Sequence, residues 1–399
     1  MSDFVHTRRV IVSLWNRRVG TIIPAKTSGY YAFKFDDDFV KSGLEISPLM
    51  MKLSSVPYEF KELPISEYHG LPPVFADSLP DSFGASMIDR WLMSRGVAIS
   101  EATVLDRLSY LGRRGMGALT YEPEHGPGGK PTAIDLRKLV EDARRVMNGE
   151  LADMEGDDAL RAIIRIGSSA GGAQAKAVVG WNRKTNEFLL GDRDLPVDFE
   201  HWIIKFTPRE FPWRGEKEYE LYLKAKAAGV RMAESVLLEL DGLKHFMTKR
   251  FDRGPAGMRY HLLSLSAMAH FPMSVPMEFR TYEQLLMTVE KLNLGYDAKA
   301  EAFRRIAFNI AVGECDDHTK NFSFRMSSDG QWELSPAYDL TGSDFPSTDP
   351  WSAHGGRHML SVNGKFSNIS DSDLLTMADR FAIGTAEKLL ENIKKCAIS

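Results

Sequence analysis

The chain has 399 residues and a mass of 44.8 kDa, too long for one ordinary core, so two or three packed subdomains are expected. Hydrophobic residues make up 43% and charged residues 26%, an ordinary globular balance, and a net charge of −4 gives no global basic field for gripping nucleic acid unaided. Two cysteines, Cys315 and Cys396, cannot build a disulfide framework or a zinc site; with no signal-peptide pattern and no apolar run near ~18 residues, a cytoplasmic protein without membrane spans is expected.

Short apolar runs over 10–15, 19–23, 30–35 and 51–53 read as strands, with a turn at Asn16-Arg17-Arg18. Asp81 suits the N-cap of a helix through Met93, and a second helix over 103–111 stops at Gly112. After the Gly115-Met116-Gly117 turn, a strand over 118–121 is expected. A helix over 134–147 then places Leu136, Leu139, Val140 and Ala143 on one face. This half offers no chemical constellation and reads as a folding and docking module.

Residues 163–179 run strand, small-residue loop, strand. Gly171 and Gly172 permit positive φ and let backbone N–H groups approach a ligand, so the loop from Ser168 to Gln174 can cover phosphates. It is not a Walker A loop, because Ala173-Gln174 stands where Lys-Ser/Thr is required. Lys205 sits inside an apolar strand over 201–206, where an ammonium needs a partner. The following helix, 216–228, carries Glu218 and Glu220 near its start, and a strand Lys paired with a helix Glu is the protein-kinase arrangement. Two strands, 235–240 and 245–251, meet at Asp241-Gly242, and the second is expected to line an adenine pocket through its backbone. Helices over 282–292 and 297–311 deliver the chain to Asp316.

Asp316 and Asn321 are five positions apart, and Asp339 follows Asn321 by eighteen. Strands over 322–326 and 332–334, joined at Ser328-Asp329-Gly330, form a hairpin that returns Asp339 to the end holding Asp316 and Asn321. Phosphoryl transfer needs such a set: Asn and Asp hold Mg²⁺ against nucleotide phosphates, and a second Asp accepts the proton of the attacking hydroxyl. The Asp-x-x-x-x-Asn step equals that of the protein-kinase catalytic loop without its His-Arg. Asp317 is a competitor for the base, but only Asp316 keeps the five-residue step. His318 reads as a structural hydrogen-bonder and Cys315 as a buried thiol. Two helices, 372–380 and 385–393, close the chain after Trp351 and a His354-Gly355-Gly356 turn.

With these pieces in order, the chain resembles the HipA-type serine/threonine kinases, toxins of bacterial toxin–antitoxin pairs. The likeness covers nearly the whole chain and rests on S-S-A-G-G-A-Q-A-K, W-I-I-K-F, K-R-F-D-R, D-D-H-T-K-N-F-S and P-A-Y-D-L-T, with L-W-N-R-R-V-G-T and F-A-D-S-L-P-D near the start. The resemblance implies an α+β, protein-kinase-like two-lobe fold. A β-rich N-terminal subdomain (1–125) precedes an N-lobe-like region with the glycine loop and strand Lys (126–255) and an all-α C-terminal lobe (256–399). It implies ATP and Mg²⁺, with Asp316 as catalytic base, Asn321 and Asp339 as metal ligands, and Lys205 on the ATP phosphates. Glu218 is the partner of Lys205 favoured over Glu220. Ser168, Ser169, Ala170, Gly171, Gly172, Ala173 and Gln174 form the phosphate-binding loop, and Ser168 is favoured over Ser169 as an autophosphorylated residue. A protein Ser/Thr acceptor and a HipB-like helix-turn-helix antitoxin are the implied partners, with DNA reached only through the antitoxin. A small-molecule phosphotransferase of related fold and an antitoxin-bound corepressor module are the alternatives.

Overall fold

The computed structural model describes residues 4–80, 82–127, 132–147, 174–191, 194–342 and 357–398. The chain divides into two compact units. The first comprises Met1–Ile46, Leu53–Gly215 and Val236–Leu262, and the second Ser47–Lys52, Glu216–Ser235 and Leu263–Ser399.

The first unit opens with strands β1 (Val10–Leu14), β2 (Arg17–Pro24) and β3 (Tyr31–Phe35), which pair antiparallel with β4 (Leu119–Glu122) in the order β3-β2-β1-β4. Val10, Val12 and Leu14 alternate into the core, as a half-buried strand requires. Leu14 pairs with Arg17, so the turn is Trp15-Asn16 rather than the expected Asn16-Arg17-Arg18. Both residues take positive φ, 48° and 62°, which matches the twist of a two-residue hairpin. The Trp15 indole N–H donates to Arg259 O at 2.6 Å and holds this unusual turn residue in place.

Met51-Lys52-Leu53 forms no strand. Ser54 Oγ accepts the Val56 N–H at 2.9 Å, a local bond that competes with ladder pairing, and Phe33 bridges to Tyr58 instead.

Helix α1 (Ser82–Ser94) is followed by α2 (Val104–Leu111), whose Thr103 and Asp106 form a reciprocal capping box. Helix α3 (Leu136–Met147) buries Leu139 and Val140 against a five-stranded sheet. Its strands are β5 (Lys176–Asn182), β6 (Glu187–Leu190), β7 (Glu200–Lys205), β8 (Ser235–Leu240) and β9 (Leu243–Lys249), in the order β6-β5-β7-β9-β8. Val178, Trp202, Ile204 and Met247 form the centre of that core. Because β9 lies between β7 and β8, its backbone is committed on both sides. The expectation that this strand lines an adenine pocket is therefore not met along its paired length.

The K-R-F-D-R stretch after β9 is a buried charge cluster. Arg250 grips Asp252 through Nε at 3.0 Å and Nη2 at 2.8 Å, and Arg253 Nη1 adds a third bond at 2.6 Å. Asp252 also accepts the Gly117 N–H at 2.7 Å, while Arg253 and Arg259 donate to Gly117 O. Burial opposes ionisation of Asp252, but the two guanidiniums hold its carboxyl well below the usual range. The motif thus fixes the Gly115–Gly117 turn rather than performing chemistry.

The second unit is largely helical. Helix α4 (Arg214–Ala227) enters it at Glu216 and precedes α5 (Leu265–Ala269), α6 (Glu283–Lys291) and α7 (Gly295–Val312). An antiparallel hairpin of β10 (Ser323–Met326) and β11 (Trp332–Leu334) follows, and then α8 (Asp371–Arg380) and α9 (Ala386–Ile398). The long α7 packs against α6 and α9, burying Phe303, Ile306 and Phe308. The same helix aims the chain at the candidate site.

Candidate functional site

Helix α7 ends at Gly313, whose left-handed φ of 66° caps the helix and turns the chain outward. The next residues run extended into a 3₁₀ turn at Thr319–Asn321 and then into β10. Asn321 Nδ2 donates to Asp316 O at 2.7 Å, which closes the five-residue loop on itself and leaves the amide oxygen as an acceptor. The hairpin brings back Asp339, held at a φ of 59°. Tyr338 OH donates to Lys320 O at 2.6 Å, tying the two loops together. Asp316, Asn321 and Asp339 line one pocket, with Phe308 and Leu340 on its apolar wall. All of these residues belong to the second unit.

Adjacent carboxylates are sorted by burial. The Asp316 side chain is 51% exposed, whereas that of Asp317 is 0% exposed. Asp317 accepts bonds from Tyr282 OH, from His358 Nδ1 at 2.8 Å and from the Met359 N–H at 2.6 Å. It is a structural anchor, fully used, and does not compete with Asp316.

His318 departs from its expected role. Its Nδ1 is buried without a hydrogen-bond partner among the described residues, and its Nε2 lies 3.8 Å from Asp316 Oδ1, beyond hydrogen-bond reach. Burial pushes its pKa down against the pull of Asp339. Burial also pushes the Cys315 thiol up to about 11, an inert thiol as expected.

Glu314 is a carboxylate to which the sequence attaches no role. It is buried and receives backbone N–H bonds from Asp316 at 3.0 Å, from Gly342 at 2.7 Å and from Thr341. Burial nevertheless pushes its carboxyl up to about 7.

In the first unit, Lys205 closes β7 with its ammonium 5.6 Å from the Phe246 ring centroid. Lys176, the last residue of S-S-A-G-G-A-Q-A-K but given no role from the sequence, is its direct cross-strand partner, and both lysines are buried. Gln174 Nε2 donates to Phe206 O at 3.0 Å, fastening the end of the glycine loop beside Lys205. The rest of that loop, Ser168, Ser169, Ala170, Gly171, Gly172 and Ala173, lies outside the described residues, as do Trp351 and His354-Gly355-Gly356. On α4 in the second unit, Glu218 is 6% exposed, whereas Glu220 is solvent-facing and paired with Lys224 at 3.1 Å.

Residues 10–122 match the family model of the HipA N-terminal domain, and residues 168–399, more than half of the chain, match that of the HipA-like C-terminal domain. The chain belongs to the HipA family. Its relatives include a putative kinase Y4dM of Sinorhizobium fredii, 26% identical over 68% of this chain and 62% of that one. A putative kinase of Haemophilus influenzae is 26% identical over 43% of this chain and 54% of its own length. The chain thus spans less than two thirds of these two relatives. The serine/threonine-protein kinase toxin HipA of Shewanella oneidensis is 23% identical over 82% of this chain and 73% of that one.

Among solved structures, the Shewanella oneidensis complex of HipA, HipB and operator DNA matches with a TM-score of 0.70 at 19% identity. That match covers 97% of this chain and 88% of the other. The HipA kinase-like fold, β-rich in its N-terminal part and helical in its C-terminal part, is therefore the fold of this chain. Among the described residues no helix is long and apolar enough to cross a membrane.

Proposed function

We propose that this HipA-family chain is an ATP-dependent protein-serine/threonine kinase, the toxin of a pair completed by a HipB-like helix-turn-helix antitoxin. The observation that carries the reading is the convergence of Asp316, Asn321 and Asp339 on one pocket. Asp316, exposed and fixed through its backbone, orients the acceptor hydroxyl and takes its proton. The Asn321 amide oxygen and the Asp339 carboxylate are hard donors suited to Mg²⁺. No group of three His, Cys, Asp or Glu among the described residues makes a closed metal cage. Two protein ligands fit an ion that fills its remaining positions with nucleotide phosphates and water. Held by Asn321 and Asp339, Mg²⁺ would supply positive charge to offset the charge that develops on the transferring phosphoryl group.

Lys205 and Lys176 supply two cations from one face of the β5–β7 ladder for the nucleotide phosphates. Of the two acids near the start of α4, the buried Glu218 is favoured over Glu220, which is engaged at the surface. The acceptor is a protein Ser or Thr, and Ser168 of the glycine loop is an acceptor in the same chain. A phosphate there adds a charge of about −1.5 to −2 and repels bound nucleotide, which makes the activity self-limiting. A net charge of −4 supports leaving DNA contact to the antitoxin. The fold shared with a HipA captured with HipB and operator DNA supports that partnership.

Mass-spectrometric phosphosite mapping after expression tests the reading. Phosphoserine at 168 in the wild type and none in Asp316→Asn is the expected result, and equal phosphorylation of both rejects it.

A further inference from the structure

Glu314 lies two residues before Asp316 and takes no part in the transfer as proposed. Its carboxylate gathers donors from two separate loops. Oε1 accepts the Asp316 N–H at 3.0 Å; Oε2 accepts the Gly342 N–H at 2.7 Å and the Thr341 N–H. Thr341 Oγ1 stands 3.4 Å and 3.5 Å from the two oxygens. Thr341 and Gly342 follow Asp339 by two and three positions, so one side chain joins the loop of the proposed base to the loop of the proposed metal ligand.

A third element meets the same point. Gly342 has a φ of +74°, and a Cβ there would stand 3.1 Å from Leu221 Cδ1 on α4. The helix that carries Glu218 therefore packs on the glycine whose N–H is held by Glu314.

Only a carboxylate suits this junction. In its ionised form each oxygen accepts without donating, so three N–H groups can converge on it, whereas an amide turns an NH₂ group toward donors. We propose that Glu314 is a positioning residue for phosphoryl transfer, setting the register between the Asp316 and Asp339 loops. The proposal rests on the kinase reading of the pocket. It assigns to the acid at −2 from the base a duty separate from proton transfer and metal binding.

Glu314→Gln, nearly isosteric, is the test in the full-length protein. Hydrogen–deuterium exchange reads the junction, and steady-state kinetics with ATP read its consequence. Faster exchange confined to Asp316, Thr341 and Gly342 is expected, with kcat down about 100-fold, as misplacement of reacting groups by about 1 Å produces. KM for ATP should stay within about twofold, since no nucleotide-contacting group is removed. Gly342→Ala, which strains the same junction from the opposite side, should lower kcat in the same selective way. The double variant should lose little more than the worse single one, because both break one unit.

Unchanged exchange at the three amides overturns the junction. Faster exchange with unchanged kcat, or loss of protection throughout the chain, overturns the positioning role. A wild-type protein that transfers no phosphoryl group rejects the kinase reading itself and the positioning role with it, while exchange still reports whether the carboxylate joins the loops.

Discussion

Lys176 and Lys205 are direct partners across the antiparallel β5–β7 ladder, and both side chains are buried. Under the proposed kinase reading, both ammoniums meet the phosphates of the nucleotide. Lys176→Met and Lys205→Met should each weaken ATP binding by at least about tenfold, the loss of about 1.4 kcal/mol. Calorimetric titration with ATP checks this. A Lys176→Met protein that binds as tightly as wild type would leave the phosphates to Lys205 alone.

Asp252 is wedged between Arg250 and Arg253 with essentially no exposure. Removing its charge strands two buried guanidiniums and frees the Gly117 N–H that it accepts. Asp252→Asn should therefore cost about 3–5 kcal/mol, the penalty for breaking a buried ion pair from one side. Urea unfolding of the first unit reads it as a lowered midpoint, and an unchanged midpoint would contradict the structural role given to K-R-F-D-R.

His261 is buried, its Nε2 lying 2.8 Å from Ile46 O, and burial pushes its pKa down to about 4 from the ordinary 6.5. The unfolded chain binds the proton more readily than the folded one between those values. Stability contributed by the neutral ring is thus complete above pH ~6.5 and is lost as pH falls toward ~4, by up to about 1.4 kcal/mol per pH unit. His261→Gln, whose Nε2 can donate to the same carbonyl, should flatten that part of the pH–stability curve. A slope identical to wild type would show that the histidine does not titrate in this range.

Much of the scaffold was legible because local chemistry and tertiary structure agree. Gly112 ends the helix before it, and the 322–334 hairpin returns Asp339 to the loop of Asp316. The turn at Trp15-Asn16 was misplaced by one or two residues, because the Trp15 indole contact that supports it comes from 244 positions away. Met51-Lys52-Leu53 looks like a strand only until partners are counted. The duties of Glu314, Asp316 and Asp317 could not be told apart along the chain. Three acids in four positions differ by what lies opposite: residues 27 and 28 positions on for Glu314, 41 and 42 for Asp317, and the open pocket for Asp316. Lys176 was hidden for a similar reason, since a lysine at a strand start is ordinary until register sets it against Lys205.

The central claim is that Asp316 is the base of a phosphoryl transfer supported by Asn321 and Asp339. Incubation of purified wild-type, Asp316→Asn and Asp339→Asn proteins with [γ-³²P]ATP and Mg²⁺ tests it most directly, with thermal melts to verify folding. Labelling of the wild type alone, with melting temperatures alike among the three, is the predicted result. Full labelling by either folded variant would contradict the assignment.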